Sequence, residues 1–473
     1  MSLLRLALAT ATIPVLTHTL GLATYGVWAV LISILSLTSV LQLGLAPAVT
    51  FQVAQAGNDG DVTKRILVTS FVLFSALGAF AGLILFLGAH LIASLSFRNA
   101  ERAHEAASVL PLLGFAAFCQ FLRQWVMAAE AGLQRYDLQA WADGLGTIAL
   151  YGGLIVLAVL QAGIAPLAAW WGVGSLGTVV GHWYLWRARS AFSVTLRHGW
   201  DAAQARALFN FGIRQWASQL GGNLFGHVDR VAVNLILGPA AAGIYAAGTS
   251  VAVRINELSA APVQVVGPAI AAARSRARKA ALYRRAQALN ALLAYGLAAA
   301  VMLGAEPLAR VLVPTEPDTM ASILRILGFC YGLYSINAVA FFAAQGVGRP
   351  SINARWTMGA GCAFVLALVA LSRLFGIRGA AWANLAYALT LGINLEVLGS
   401  LGLRRMPALL TGTKLLISLA TCFVVSTSAV AAMDNPLGQL LVGMCTLVAT
   451  GGWLVRRLLT PGVDSLPPAG VLV

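Results

Sequence analysis

The chain has 473 residues, 59% of them hydrophobic and 10% charged, with a mean hydropathy of +0.82. Soluble globular domains average about 25% charged residues, so composition excludes that class and points to a polytopic membrane protein. The balance is basic, 31 Lys+Arg against 16 Asp+Glu, but the cations lie mostly between apolar runs, where the positive-inside rule accounts for them and no nucleic acid is needed as a partner.

Apolar runs long enough to cross a bilayer recur from end to end. They predict an all-α, polytopic chain of about fourteen transmembrane helices. The spans lie near 3–20, 25–45, 66–95, 106–133, 141–162, 165–187, 207–237, 241–265, 286–304, 322–346, 354–374, 378–401, 412–432 and 437–457. No A-x-A-like cleavage site follows the first run, and that run begins so near Met1 that a start further upstream is expected. Alternate loops then carry Lys64/Arg65, Arg135, Arg187/Arg189/Arg197/Arg206, the run Arg274–Arg285, Arg349/Arg355, Arg404/Arg405/Lys414 and Arg456/Arg457. The intervening loops carry only Arg98, Arg102, Arg310, Arg373 and Arg378. This bias places both termini in the cytoplasm. The run RSRARKAALYRR reads as a cytoplasmic topology anchor that could also meet anionic lipid headgroups.

An internal repeat organises the spans. Leu20-Gly21-x4-Gly26-Val27-Trp28-Ala29 joins spans 1 and 2, and Leu237-Gly238-x4-Gly243-Ile244-Tyr245-Ala246 joins spans 7 and 8. Gly163-Ile164 is echoed by Gly376-Ile377, and Gly132-Leu133-Gln134-Arg135 by Gly346-Val347-Gly348-Arg349. Each echo lies about 215 residues downstream of its partner. Six spans per repeat keep both halves in one orientation, so a parallel pseudo-twofold repeat is expected, with a cavity between the lobes. The predicted organisation is an N-lobe over 1–190, a cytoplasmic inter-lobe linker over 191–206, a C-lobe over 207–402, two further helices over 403–460 and a cytoplasmic tail over 461–473.

A charged side chain at a helix centre costs about 2.5–3.5 kcal/mol on insertion scales and usually faces a bundle interior or a water-filled path. Span 7 carries Gln219, Asn223, His227, Arg230 and Asn234 at i, i+4, i+8, i+11 and i+15, an arc of about 80°. This stripe is expected to line a cavity. Span 8 repeats the theme with Ser250, Arg254 and Glu257, span 4 with Gln120, Arg123, Met127 and Glu130, and span 2 with Ser33, Ser36, Ser39 and Gln42. Arg and His in a cavity suit an anionic cargo, because guanidinium binds phosphate oxygens bidentately at any relevant pH.

Each feature has a plainer alternative. Arg254 and Glu257 could simply neutralise one another, Asp229-Arg230 could clamp two helices, and the span 2 serines could serve close packing. His227, His18 and His182 could be packing histidines. Arg325, at the start of span 10, is expected to snorkel to the outer headgroups, and Arg214 to the inner ones.

Motifs of catalysis are absent. There is no phosphate-binding loop, HExxH or GxSxG, and the five cysteines form no CxxC or Cys/His group. No enzyme, metal or cofactor is expected, and the cysteines read as small buried hydrophobes.

LGLATYGVWAVLISILSLTSVLQLGLAPAV resembles the first two spans of bacterial polysaccharide-biosynthesis flippases. These are the Wzx-type O-antigen branch of the multidrug/oligosaccharidyl-lipid/polysaccharide exporter superfamily. VDRVAVNLILGPAAAGIYAAG is similar to their span 7–8 segment, and AAQGVGRP and FGIRGAAWA fit the segments after span 10 and entering span 12. The resemblance implies alternating access by two six-helix lobes. The implied cargo is oligosaccharide on undecaprenyl diphosphate, flipped across the bacterial inner membrane for surface polysaccharide such as O-antigen or exopolysaccharide. It implies membrane lipids, a polysaccharide polymerase and glycosyltransferases as partners. It gives Arg230, Arg254 and Arg123 the role of meeting diphosphate and acidic sugars. Asp229 and Glu257 are the candidates for ion coupling. Lipid II flippases and multidrug antiporters are similar to a lesser degree. The rival readings are a drug/cation antiporter binding at Glu257, Glu130 or Asp229, and a membrane-embedded polysaccharide polymerase or ligase, which the short outer loops disfavour.

Overall fold

The computed structural model describes residues 2–56, 59–189, 200–401, 406–430, 432–433 and 435–459. Every described element is a helix, and the expected spans fall on helices, some of them (66–95, 322–346 and 378–401) on more than one. Residues 191–199 of the proposed linker and the whole tail lie outside the described residues; the rest of the linker, from residue 200, leads into the first turns of the helix Ala202–Leu237.

The chain begins with α1 (Ser2–Leu20) and α2 (Leu22–Leu37), the latter extended by a 3-10 turn, Thr38–Gln42. There follow α3 (Leu45–Ala56), α4 (Gly60–Leu87), α5 (Ala89–Ser96), α6 (Ala100–Gly132), α7 (Tyr136–Val159) and α8 (Ile164–Arg189). Next come α9 (Ala202–Leu237), α10 (Pro239–Ala260), the short α11 (Val266–Ala272), α12 (Arg276–Leu303), α13 (Ala305–Leu312), α14 (Pro317–Ser335) and α15 (Asn337–Gly346). The chain closes with α16 (Pro350–Ala383), α17 (Leu391–Leu401), α18 (Met406–Val425) and α19 (Pro436–Leu459). Side-chain caps start several of these helices. Asp59, Asn99, Asp201 and Ser275 each accept backbone N–H bonds from the first turn of the helix that follows.

The repeat is written in the backbone as well as in the residues. Gly21 and Gly238, which open α2 and α10, both take positive φ, 79° and 90°. Gly163 and Gly376 do the same at 81° and 61°, a conformation glycine adopts without a Cβ clash. At the ends of α6 and α15 the capping bonds correspond one for one. Leu133 N, Gln134 N and Arg135 N donate to Ala129, Ala131 and Glu130 carbonyls, and Val347 N, Gly348 N and Arg349 N donate to Ala343, Gln345 and Ala344.

The chain divides into two compact units that interleave in sequence. Unit 1 comprises residues 1–251, 309–323 and 357–386, and unit 2 comprises 252–308, 324–356 and 387–473. In unit 1 the core joins Leu45, Val49 and Val53 of α3 with Leu67 and Phe74 of α4, Phe121 and Trp125 of α6 and Leu208 of α9. α3 is apolar but too short to span; its buried face fills the space between α4, α6 and α9. In unit 2 one cluster joins Val266 and Ile270 of α11 with Tyr283 of α12, Val339 and Ala343 of α15 and Val397 of α17. Another packs Tyr295 and Met302 of α12 on Leu333 of α14, Leu419 and Cys422 of α18 and Leu454 of α19. The outer faces are apolar too, with Phe86, Leu87, Leu160 and Leu374 exposed. An exposed apolar surface of this kind suits lipid as the solvent.

Two expectations are corrected here. Arg325 does not reach the headgroups: it is buried, and its Nη2 donates to Glu306 Oε1 at 2.6 Å. A counterion on the neighbouring α13 removes the need to snorkel. Cys119, Cys330 and Cys422 are buried as expected, but Cys362 and Cys445 are exposed on apolar helix faces. The Arg214 side chain lies outside those described.

Candidate transport site

Span 7 is one unbroken helix, α9, so the polar stripe has the spacing the sequence gives it. The side chains of Gln219 and Asn223 lie outside those described. His227 and Arg230 are half-buried, and Asn234 is buried. Arg230 Nη2 reaches Ser250 Oγ of α10 at 3.4 Å, while its Nε is buried with no acceptor among the described residues. His227 Nδ1 is likewise buried and unmatched. Asn234 closes the stripe differently, donating to the Ser96 carbonyl of α5 at 2.6 Å. That carbonyl belongs to the last turn of α5, where the helix leaves its acceptors open.

Asp229 points away from the stripe. It is 5% exposed and takes a hydrogen bond from the Tyr245 hydroxyl. Asn384 Nδ2 donates to that same hydroxyl oxygen at 3.0 Å. A carboxylate, a phenol and an amide thus link α9, α10 and the 3-10 stretch Asn384–Thr390 that follows α16. In unit 2, Arg254 Nη1 pairs with Glu257 Oε2 at 2.6 Å, one turn away on α10, and leaves its own buried Nε unmatched.

α2 and α10, the repeat-equivalent helices, pack at their equivalent glycines. A Cβ built on Gly26 would overlap the Pro239 carbonyl and lie 3.0 Å from Gly243 N. One built on Gly243 would lie 2.7 Å from the Leu22 carbonyl oxygen and 3.2 Å from Gly26 N. Each helix uses its own copy of the glycine against the other, the self-complementary arrangement of a two-fold contact.

On α6, Gln120 is half-buried. Arg123 is engaged by Asp143 of α7 through Nε at 3.0 Å and Nη2 at 2.7 Å. Two turns further along α6, Glu130 meets His182 of α8: His182 Nδ1 lies 3.1 and 3.0 Å from the two carboxylate oxygens. His182 Nε2 lies 3.2 Å from Asp143 Oδ1. The side chains of Glu130 and His182 are fully buried, and those of Arg123 and Asp143 are 21% exposed. Sequence reasoning assigned His182 to packing and passed over Asp143. The available signal was that Arg123, Glu130, Asp143 and His182 all sit toward the predicted cytoplasmic ends of spans 4, 5 and 6.

With this geometry in view, comparison with known proteins is informative. The family model described as polysaccharide biosynthesis protein matches residues 15–340. The chain belongs to the polysaccharide biosynthesis protein family. No curated protein matches it in sequence.

Solved structures share the fold of this family member at low identity. The lipid II flippase MurJ, in an inward closed conformation, has a TM-score of 0.72 at 15% identity, over 97% of this chain and 100% of its own. A multidrug resistance MATE family transporter of the MOP superfamily, inward-facing, scores 0.70 at 17% identity, over 84% of this chain and 95% of its own. A MOP superfamily transporter from Pyrococcus furiosus scores 0.56 at 16% identity, over 88% and 96%. The fold is therefore that of a multi-pass, all-helical transporter. The MurJ likeness takes in nearly the whole chain, although the sequence resemblance to lipid II flippases is the weaker one.

Proposed function

We propose that this chain is a flippase, not an enzyme, that moves undecaprenyl-diphosphate-linked oligosaccharide units across the bacterial inner membrane by alternating access. The lobes of the cycle are 1–190 and 207–402, with both termini cytoplasmic. Buried side-chain nitrogens with no hydrogen-bond partner among the described residues carry the reading: Arg230 Nε and His227 Nδ1 of α9 in unit 1, a feature that Arg254 Nε and Arg325 Nε share in unit 2. A buried charged donor without a partner is costly, and an oligosaccharide diphosphate supplies the acceptors. Gln219, Asn223, Gln120 and Asn234 are the proposed amide contacts to sugar, Asn234 through the oxygen it does not share with Ser96. The meeting of repeat-equivalent helices at Gly26 and Gly243 supports a cycle of two pseudo-symmetric lobes. Asp229 and Glu257 are its proposed coupling groups; neutral variants that transport normally with no ion gradient would sink that part.

The drug/cation antiporter reading needs a carboxylate available to a cation. Glu130, Asp143, Asp229 and Glu257 are each already engaged by His182, Arg123, Tyr245 or Arg254. The test is transport by the purified protein in liposomes loaded with lipid-linked oligosaccharide on one leaflet. Losing one hydrogen bond to a charged group costs about 1.5–3 kcal/mol. Arg230→Ala and Arg254→Ala should each therefore slow translocation at limiting cargo by about tenfold or more. Unchanged rates in both would remove the cationic site.

A further inference from the structure

We infer that Glu130, His182 and Asp143 form a buried proton-binding site that ties together α6, α7 and α8 of unit 1. The argument starts from the two ring nitrogens of His182. Each lies within hydrogen-bonding distance of a carboxylate oxygen, Nδ1 of Glu130 and Nε2 of Asp143. A neutral imidazole has one N–H and one lone pair, so in that state one of these contacts would set a lone pair against a carboxylate. The arrangement is satisfied only if one more proton is present, on the imidazole or on one carboxyl group.

Charge leads to the same conclusion. Arg123 neutralises Asp143 at the partly exposed edge. With His182 neutral, the fully buried Glu130 is left as an uncompensated anion, which a low-dielectric interior penalises strongly. With the proton bound, the four side chains sum to zero. The groups acting on Glu130 are His182, Asp143 and Asp137; those on His182 are Asp143 and Glu130; those on Asp143 are His182 and Arg123. Asp137 is itself paired with Arg135 in the α6–α7 turn. Ionisable groups on the other helices packed here are turned to other partners. Lys64 and Asp61 of α4 pair with each other, and His18 of α1 meets the Val311 carbonyl. Tyr25 of α2, Arg65 of α4, His90 of α5, Tyr136 and Tyr151 of α7, Tyr184 and Arg187 of α8, and Glu101, Arg102, His104 and Glu105 at the start of α6 are further ionisable groups on these helices.

On the topology set by the loop charges, the proton comes from cytoplasmic water and returns to it past the Arg123–Asp143 edge. Its loss leaves a buried net negative charge between three helices and loosens their joint. This inference does not rest on the identity of the cargo, and its test uses none. Glu130→Gln makes the cluster neutral with no added proton, so it fixes the proton-bound charge state. The purified full chain in nanodiscs is taken from about pH 6 to about pH 9, the range in which such sites exchange. Infrared difference spectra and amide hydrogen exchange are followed together. The native protein should show one titrating carboxyl–imidazole signal and, once the base-catalysed intrinsic exchange rate is divided out, lower amide protection at the ends of α6, α7 and α8 at high pH. Glu130→Gln, and Glu130→Gln with His182→Gln, should lose both responses while staying folded. A titration signal and an exchange profile in either folded variant that match the native protein would overturn the site. So would a native protein whose three helices keep the same amide protection, corrected for the intrinsic rate, across the range.

Discussion

Substitution of Gly26 by alanine tests the close α2–α10 contact in unit 1. The added methyl would overlap the Pro239 carbonyl oxygen and lie 2.7 Å from its carbon. Neither obstacle can rotate away, because both are backbone. The α2–α10 crossing must therefore open, at the cost of about 1–3 kcal/mol typical of overpacking. That corresponds to a fall of roughly five- to 160-fold in the folded/unfolded ratio. Gly243→Ala, whose methyl would meet the Leu22 carbonyl at 2.7 Å, should behave alike but more mildly. Gly152 on α7 is the control, since a Cβ there has nothing within 4 Å. Gly152→Ala should be neutral, or stabilise by the helix preference of alanine, about 0.5–1 kcal/mol. The assay is thermal denaturation of the three variants in one detergent. Equal midpoints for Gly26→Ala and Gly152→Ala would refute the close crossing.

Other predictions concern buried polar pairs. The break between α14 and α15 leaves the Ser335 and Ile336 carbonyls to be capped by Asn290 at 2.7 Å and Gln287 at 3.2 Å. Asn290→Leu strands the Ser335 carbonyl and should destabilise by about 1–3 kcal/mol, read as a lowered denaturation midpoint. Asn337 bonds both Thr390 and Asn394, so Asn337→Leu should cost at least as much. Removing one partner of the Arg325–Glu306 pair should destabilise by about 3–5 kcal/mol. Arg325→Met combined with Glu306→Gln should recover most of that loss, and a double variant no better than the single would show that the pair is not coupled.

Hydropathy made the spans legible, because lipid demands long apolar helices whose backbone bonds are internal. The repeat was legible because Gly21, Gly163, Gly238 and Gly376 mark turns that need positive φ. Short elements were not. α3 and α11 are apolar, yet they lie within what sequence alone shows as loop or span end, and only their packing on α6 and α15 reveals them. The stripe of α9 was visible from periodicity, but periodicity cannot say which polar groups find protein partners. Asn234 meets Ser96, whereas Arg230 Nε has no partner among the described residues. The Glu130–His182–Asp143–Arg123 cluster was hidden because its members are scattered over three spans and converge only when α6, α7 and α8 pack.

The central claim is tested most directly by deleting the gene in its native host and assaying lipid-linked oligosaccharide by membrane leaflet. The account predicts intermediates held on the cytoplasmic side, released by the native gene and not by stably expressed Arg230→Ala or Arg254→Ala. Normal outward appearance of the intermediate in the deletion strain, with no second transporter present, would contradict it.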